Sequence, residues 1–523
     1  MATPGSDPDG GTPPLLRDPL LWGSALATAT LCAPFFRYVF WLGDEGVVLH
    51  GAERLLRGEV MYRDFFEFLP PGSFFLAATW MKVIGGDFAA VRLLAVCVIA
   101  AIAALTYAAA RLVSGKRALG AMLAIGWAGF SQGGWTVINH HWFATAASMA
   151  SAVALLSALG RPSASAAFFA SGMFAGTTAM IVSTRGALLC LALVGIALTL
   201  RERRPLLAVI GGVAVFPAAT LVYLAATGAI AAAVVDVVLF PARHYSDIQV
   251  VAFGAETASH QMPATAFFPV TLLLAGTTAV VGGGAMWRDA RFRASLALAI
   301  VGLIGAFPRP DVTHINFTVP LACPLFALVA THLLGRLGRG LTIAVSASLV
   351  AVCGLAIAYR LLGEALPMVA SPLRQVATTR GSFVAPPSTW IDAVGALVPH
   401  VERAPRDAAY FFYPYSPMLP YLTGRRHVAP LDVMVPGYTS AAQYREVCRR
   451  VLREAQWVVL DRSWSHPDVL RAIFPNMRDP DPPEKRDLEA ALDRGFDRVV
   501  HAWRGMELRG RGGAASDALC GDR

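Results

Sequence analysis

Long apolar runs separated by short polar segments fill the first two thirds of this chain. A helix needs about 20 apolar residues to cross a hydrocarbon core of roughly 30 Å. Runs of this kind lie near 20–41, 91–112, 118–138, 142–160, 164–182, 186–200, 206–227, 264–285, 294–308, 317–335 and 341–361. The pattern predicts an all-α polytopic membrane domain at 20–362, with about eleven transmembrane helices.

One further apolar segment is too short to cross the membrane. It runs from Pro71 to Gly85, and its roughly 14–15 residues reach only about 21 Å at 1.5 Å per residue. We expect a helix that lies at the interface, with Trp80 and Lys82 at the level of the lipid headgroups. If the N-terminus is cytoplasmic, the short basic loops of the chain then face the cytoplasm, in agreement with the positive-inside rule.

This topology places most of the remaining titratable residues on the extracytoplasmic side. That side receives the first loop (42–90) with its interfacial helices, the segments 139–141 and 309–316, the long loop 228–263 and everything after about 362. We therefore predict an integral protein of the bacterial inner (plasma) membrane, whose active site and C-terminal domain are extracytoplasmic.

The polar remainder of the chain has a different pattern. Short strand-like runs at 408–413, 457–460 and 498–503 alternate with a helical pattern around 441–453. This alternation predicts a small extracytoplasmic α/β domain at 363–510. The Pro- and Gly-rich start (1–19) and the end (511–523) are interpreted as disordered tails, the first of them cytoplasmic.

Composition agrees with a membrane protein. Of the 523 residues, 55% are hydrophobic and 15% charged, against roughly 25% charged in soluble chains. The net charge of +9 is spread between apolar runs, which argues against a nucleic-acid partner. The seven cysteines contain no CxxC pair, so we expect neither a disulfide framework nor a zinc site. Nucleotide-binding loops and the common hydrolase motifs are missing from the sequence.

The first loop carries the acids that are the main catalytic candidates. Asp44 and Glu45 directly follow the first apolar run, and Glu67 precedes the turn Pro70-Pro71-Gly72. An acid at this position is either the solvated end of a helix or a carboxylate base that acts on an acceptor hydroxyl or a metal ion.

A second group of candidates is basic. It comprises Arg243, His244 and Tyr245 in the long loop, Arg309 and His314 at the end of another run, Arg185 between two runs, and His140. Arginine suits phosphate because its donors form a fixed fork, but the same residues also serve as interfacial anchors. His140 and His141 are adjacent on a predicted helix, so we expect one of them at most to face the site.

The sequences GAERLLRGEVMYRDFFEFLPPG (51–72) and GGDFAAVRLLAV (85–96) follow the acidic pair. Together they resemble the C-type glycosyltransferases with multiple membrane spans, which include protein O-mannosyltransferases and aminoarabinose transferases. The resemblance covers roughly 35–115 and is looser afterwards. Gly46 after Glu45, and Phe-Leu between Glu67 and Pro70, depart from the commonest form of the family.

The resemblance implies a transferase that uses a polyprenyl-phosphate sugar as donor. Asp44 matches the family's acceptor-orienting base, with Glu45 beside it, and Glu67 matches an acid that helps to bind a divalent metal (Mg, Mn or Zn). His314 is a second candidate metal ligand, and Tyr62 and Asp64 of the Tyr-x-Asp-Phe pattern join Tyr245 and His140 as candidate substrate-binding residues. Arg185, Arg243, His244 and Arg309 are candidates for the donor phosphate.

The predicted function is inverting transfer of a monosaccharide from polyprenyl phosphate to a hydroxyl of a glycan, lipid or protein. The alternative is a transporter or flippase for a lipid-linked sugar or another solute. Transporters usually place ionisable residues and broken helices near the middle of the membrane, often in paired repeats. Here the charges lie at one surface and no repeat is visible, which favours the transferase.

Overall fold

The computed structural model describes residues 13–39, 43–131, 133–161, 164–200, 202–387, 389–512 and 520. Its first part is helical: α1 (Pro19–Cys32), α2 (Asp44–Leu56), α3 (Gly72–Val83), α4 (Phe88–Ser114), α5 (Arg117–Phe130), α6 (His140–Ala158), α7 (Ser165–Ala179), α8 (Ser183–Leu198), α9 (Arg203–Ala226), α10 (Ile230–Val234), α11 (Ser246–Gln249), α12 (Met262–Gly282), α13 (Gly284–Arg288), α14 (Ala290–Ile304), α15 (Val312–Thr318), α16 (Cys323–Leu334), α17 (Arg339–Ala358) and α18 (Leu366–Ala370).

Each apolar run of the sequence contains one of these helices, but fewer of them are full spans. Within the described residues, six helices are long and apolar enough to cross a membrane: Phe88–Ser114, His140–Ala158, Arg203–Ala226, Ser259–Gly282, Val312–Leu334 and Arg339–Ala370. The helices at Pro19–Phe35, Arg117–Phe130 and Ser183–Leu198 are apolar but shorter. The fold is therefore a helical membrane bundle, and the predicted count of eleven spans is not reached by these criteria.

The helices α7 and α9 touch along a row of glycines. A Cβ atom at Gly172 or Gly176 would overlap the backbone of α9 at Val209 or Val213, and one at Gly212 would overlap the backbone of Phe169. In lipid, where burial of apolar surface gives no driving force, such close backbone packing holds helices together.

The N-terminal segment is more ordered than the sequence suggested. Asp18 caps α1 by accepting a hydrogen bond from the backbone N–H of Leu20. Its carboxylate also lies 2.9 Å from Arg111 and 2.7 Å from Arg117 and accepts from the hydroxyl of Tyr107. The prediction of a disordered tail was therefore wrong for Asp18, whose buried carboxylate has the ion-pair and hydrogen-bond partners that burial requires. Residues 1–12 lie outside the described part.

The first loop folds as two helices. The helix α2 begins at Asp44, and α3 is 12 residues long, so it reaches about 18 Å and is shorter than a hydrocarbon core. The two helices pack against each other and against α4. Leu49 of α2 and Phe88 of α4 belong to the same buried cluster as Phe383 and Leu419 of the C-terminal region, so the loop and that region share one hydrophobic core.

The predicted long loop 228–263 is largely helical. From 230 to 249 the chain forms α10, π-helical turns at Val235–Leu239 and Pro241–Tyr245, and α11. The expectation of a loop was wrong here. Turns of this wider type occur mostly as short insertions in helices, frequently near functional sites.

The C-terminal domain follows a helix that continues to Ala370. Its elements are β1 (Arg374–Thr378), β2 (Gly381–Ala385), α19 (Thr389–Arg403), β3 (Ala409–Tyr413), α20 (Met418–Thr423), β4 (Arg426–His427), α21 (Ala441–Glu454), β5 (Trp457–Asp461), α22 (Arg462–Ser465), α23 (Pro467–Ile473), α24 (Pro483–Gly495), β6 (Arg498–Trp503) and β7 (Met506–Gly510). Five strands form a mixed sheet in the order β4-β3-β5-β7-β6, and β1 and β2 form a hairpin. The predicted strands and the helix around 441–453 are confirmed.

A disulfide joins Cys448 on α21 to Cys520, across a sequence separation of 72. The expectation of no disulfide was wrong, and so was the disordered tail at Cys520, whose side chain is buried. A pair so far apart has no local spacing pattern, so only the fold brings the two thiols together.

Candidate active site

A cavity of about 420 Å³ lies where the bundle meets the C-terminal domain. Five parts of the first 320 residues line it: the start of α2, the segment that begins at Glu67, the start of α6, Gln249 and Glu256 of the 228–263 region, and the segment that leads into α15. The C-terminal domain closes it with Tyr415, Tyr438 and Phe474. Its size and its mixture of aromatic and charged walls are those of a small-molecule site.

Asp44 is the acid at the start of this cavity. As the first residue of α2 it is partly buried, and its Oδ1 accepts a hydrogen bond of 2.9 Å from the hydroxyl of Tyr415. Burial raises the pKa of Asp44, while the bond from Tyr415 and the charges of His314 and Arg309 act in the opposite direction. A carboxylate with a raised pKa and a fixed orientation is a competent general base.

The side of the cavity near the start of α15 is formed by three residues, two of them basic. Arg309 donates through Nε to Asp311 at 2.8 Å and through Nη2 to Glu256 at 3.2 Å. Asp311 also lies 2.7 Å from Nδ1 of His314 and accepts from the backbone N–H of that histidine. Burial alone would raise the pKa of Asp311, but the bonds from His314 and Arg309 outweigh it, so the pKa falls below its usual value. The ionised Asp311 thus holds the side chains of Arg309 and His314 in place.

Both histidines at the start of α6 line the cavity. His140 and His141 have ring centroids 4.1 Å apart, and the ring of His141 lies 4.9 Å from that of His314. The expectation that one of them at most faces the site was wrong. The argument assumed a position inside a helix, whereas these residues stand at its first turn, where neighbouring side chains can reach the same space.

Glu67 also lines the cavity. Its Oε1 accepts from the backbone N–H groups of Phe68 and Leu69, at 2.9 and 3.1 Å. Burial raises the pKa of Glu67 to about 8, and the nearby carboxylates of Asp432 and Asp236 act in the same direction. At neutral pH this carboxyl is therefore mostly protonated.

The residues do not fit a divalent metal. Among the described residues, no group of three His, Cys, Asp or Glu side chains is close enough to hold one. Oε1 of Glu67 is already held by two backbone N–H groups, and His314 is directed at Asp311 through Nδ1. We therefore derive no step of the chemistry from a metal ion.

Glu45 points away from the cavity. It is 2% exposed, pairs with Nη2 of Arg92 at 2.7 Å and accepts from the backbone N–H of Ile138 at 3.2 Å. Successive residues of a helix are rotated by about 100° about its axis, so the side chains of Asp44 and Glu45 point in different directions. Glu45 therefore forms a structural ion pair that joins α2 to α4, and its second bond joins α2 to the segment before α6.

Other sequence candidates also lie outside the cavity lining. Arg185 is buried beneath it and donates to the hydroxyl of Thr145 at 3.0 Å. Tyr62 is buried and donates to the carbonyl of Leu69 at 2.8 Å, and Asp64 pairs with Arg63 at 2.9 Å.

Arg243 and His244 of the 228–263 region are exposed. Arg243 and His244 lie on the second π-helical turn and do not line the cavity. His244 contacts Phe240, which in turn packs on Phe68 of the cavity wall. The side chain of Tyr245 lies outside the described ones. Of the proposed phosphate-binding residues, Arg309 is thus the one that reaches the cavity.

The sequence analysis assigned no site residue to the C-terminal domain. Tyr415 stands in the segment YPYSPMLPYLTGRR, whose unusual density of Tyr and Pro was a signal that something specific is positioned there. Tyr438 likewise follows the Pro-Gly of VMVPGY and contacts Gln249 of the 228–263 region. No spacing in the sequence connects these tyrosines with Asp44.

We expect Tyr415→Phe to shift the pH dependence of activity. The hydroxyl stabilises the ionised form of Asp44, so its removal raises the pKa of that carboxyl further. The acidic limb of the pH–rate profile then moves to higher pH by about one unit, so kcat measured on that limb falls about ten-fold. Tyr62→Phe, which removes a hydroxyl outside the cavity, should leave the limb in place; an unchanged limb in Tyr415→Phe would contradict the assignment.

The fold is that of the C-type glycosyltransferases with multiple membrane spans. The chain is similar to ArnT, the aminoarabinose transferase of Cupriavidus metallidurans, solved with bound undecaprenyl phosphate, with a TM-score of 0.54 and 13% identity over 96% of this chain and 99% of that one. It is similar to the oligosaccharyltransferase of Archaeoglobus fulgidus, solved with a tethered acceptor peptide, with a TM-score of 0.52 and 12% identity over 95% and 74%.

The mycobacterial arabinofuranosyltransferase AftD is a third similar structure, with a TM-score of 0.50 and 17% identity over 95% of this chain and 40% of that one. No protein-family model and no curated protein sequence matches the chain. At these identities the likeness establishes the fold, and the chemistry has to be argued from the residues of this chain.

Proposed function

We propose that this protein is an inverting glycosyltransferase that moves a monosaccharide from a polyprenyl-phosphate donor to a hydroxyl acceptor. The observation that carries the proposal is the placement of Asp44, with its bond from Tyr415, in a cavity that also holds Arg309 and His314. The fold it shares with ArnT, which binds undecaprenyl phosphate, supports the donor class. The acceptor is a hydroxyl of a glycan, lipid or protein.

In this reaction Asp44 takes the proton of the acceptor hydroxyl as the oxygen attacks the anomeric carbon. The phosphate of the donor leaves from the opposite face of the sugar, which inverts the configuration. The leaving phosphate gains negative charge, and Arg309 is the cation that neutralises it, while Asp311 keeps the guanidinium oriented. The protonated Glu67 offers a hydrogen bond to a sugar or phosphate oxygen.

The side of the membrane is part of the proposal. The distribution of basic loops in the predicted topology supports an extracytoplasmic position for the cavity and the C-terminal domain, at the bacterial plasma membrane. The Cys448–Cys520 disulfide supports this side, since such bonds persist in oxidising compartments and are rare in the cytosol.

The proposal is tested with purified protein and a panel of radiolabelled polyprenyl-phosphate sugars. We expect release of polyprenyl phosphate with one donor, together with a labelled acceptor of inverted anomeric configuration. The absence of turnover with every donor, alongside movement of labelled lipid-linked sugar across liposomes, would identify a transporter instead.

Metal removal is a separate prediction. Because the cavity residues do not fit a divalent ion, we expect transfer to proceed in EDTA at a rate within about two-fold of that in magnesium. A loss of activity in EDTA that magnesium, manganese or zinc restores would show that a metal acts in the reaction.

A further inference from the structure

A second cleft, of about 610 Å³, opens on the other side of the first loop. Its lining residues are almost all charged: Arg54, Arg57, Glu59, Arg63, Asp64, Arg406, Gly424, Arg426, His427 and Arg450. We call it the arginine cleft. Three of its six arginines come from the first loop and three from the C-terminal domain, so the cleft exists only because the two regions dock together.

The arginine cleft is separate from the cavity that holds Asp44. A layer of side chains divides them, in which His50 binds Asp432 at 2.9 Å and Arg54 donates to the carbonyl of Ala429 at 3.1 Å. The two cavities have no lining residue in common. The proton transfer at Asp44 and the stabilisation of the leaving phosphate at Arg309 therefore involve none of these arginines.

The carboxylates of the arginine cleft do not use up its positive charge. Glu59 pairs with Arg54 at 2.8 Å and Asp64 with Arg63 at 2.9 Å. Two carboxylates just outside the lining pair with two further arginines, Glu53 with Arg57 at 3.0 Å and Glu454 with Arg450 at 3.3 Å. Arg406 and Arg426 are exposed, and Arg426 comes only within 4.0 Å of a carboxylate, that of Glu454. Guanidinium groups held in this way on two facing walls present forked donors to an anion between them.

The walls also indicate what kind of anion fits. One edge lies at the end of the bundle, where Arg63 donates to the carbonyl of Thr227 just after α9. From there the cleft rises between the first loop and the C-terminal domain to Arg406 and Arg426. A phospholipid needs apolar side chains beside its headgroup, as in the crevice lined by Phe75 of α3, Leu94 of α4 and Phe216 of α9. None of the described residues that line the arginine cleft has a large apolar side chain.

We propose that the arginine cleft binds an anionic glycan, a chain bearing carboxylate or phosphate groups, and that this glycan is part of the acceptor. The role as acceptor rests on the proposed transferase function; the binding itself does not. The layer of side chains separates a chain in the arginine cleft from Asp44, so the cleft holds a part of the acceptor that is remote from the reacting hydroxyl.

The test measures binding of a fluorescent oligogalacturonate to the full-length protein in phosphatidylcholine nanodiscs. Its methyl ester, which has the same chain without the charges, is the matched probe. We expect the acid form to bind at least about ten-fold more tightly than the ester and to weaken as salt rises. We expect Arg406→Gln/Arg426→Gln to lose about ten-fold in affinity, while Arg471→Gln/Arg486→Gln, exposed arginines of the same domain outside the cleft, stays within about two-fold.

Equal binding of the acid form by the two double variants would overturn the inference, and so would failure of the unaltered protein to bind it. If phosphatidylglycerol nanodiscs displace the oligogalacturonate, and the cleft variant loses that lipid on native mass spectrometry, the site is a lipid site and the inference is wrong. Binding does not require turnover, so a protein that binds the glycan in the cleft yet releases no polyprenyl phosphate would contradict the transferase alone.

Discussion

Asp44→Asn is expected to reduce transfer by about 10³-fold or more while the protein still folds. Asparagine keeps the shape of the side chain and an oxygen that accepts the bond from Tyr415, but it has no basicity. General-base catalysis contributes about 10²–10⁴-fold, and Asp44 is the acid that both lines the cavity and is held by a hydrogen bond from the opposite wall. The measurement is initial-rate kinetics with the donor identified in the panel.

Asp468→Asn is the matched control for this variant. Asp468 is an exposed acid near the start of α23 that lies 3.5 Å from Arg471 and lines neither the cavity nor the arginine cleft. We expect it to retain activity within about three-fold, because a surface pair contributes little. The wild-type rate should rise with pH through the raised pKa of Asp44, since the ionised form is the base. Activity of Asp44→Asn within ten-fold of the wild type would exclude Asp44 as the base.

Arg92→Met is expected to lower stability by about 3–5 kcal/mol, because it leaves the buried carboxylate of Glu45 without its partner. The guanidinium also donates to the carbonyl of Thr136 at 2.6 Å and lies over the ring of Phe88, so the variant loosens contacts between α4 and the segment before α6. A lower midpoint of thermal unfolding in the same nanodiscs measures the effect.

The double variant Glu45→Gln/Arg92→Met separates a structural from a catalytic role of Glu45. Replacing both partners removes the unpaired charge, so we expect most of the lost stability to return and transfer to stay within about ten-fold of the wild type. If Glu45→Gln alone abolishes transfer without a change in the unfolding midpoint, Glu45 belongs to the catalytic machinery, as predicted from its position after the first apolar run.

The sequence located one half of the site and not the other. Asp44, Glu67, His140, Arg309 and His314 were candidates because loops of one topological side of a helical bundle meet at one end, and the structure places all five around one cavity. Tyr415 and Phe474 could not be found in this way. Their approach depends on how the C-terminal sheet docks on α2, a contact between residues about 370 positions apart.

The errors have physical causes of the same kind. Nothing in the sequence distinguished the role of Glu45 from that of Asp44, since both are acids at the start of the first loop. On the helix, however, the side chain of Glu45 points toward Arg92. Cys448 and Cys520 showed no motif because their pairing depends on tertiary structure. The extent of each short span was uncertain because hydropathy gives the presence of a helix more reliably than its ends.

Gly46 stands where the backbone of α2 meets that of α20. A Cβ atom there would overlap the backbone nitrogen of Met418, so the two helices touch with no side chain between them that could adjust the gap by changing its rotamer. Tyr415 lies three residues before Met418 and moves with it. Any tilt of the C-terminal domain on α2 therefore separates the phenol from Asp44, and the affinity of that carboxyl for a proton becomes a readout of the domain's position.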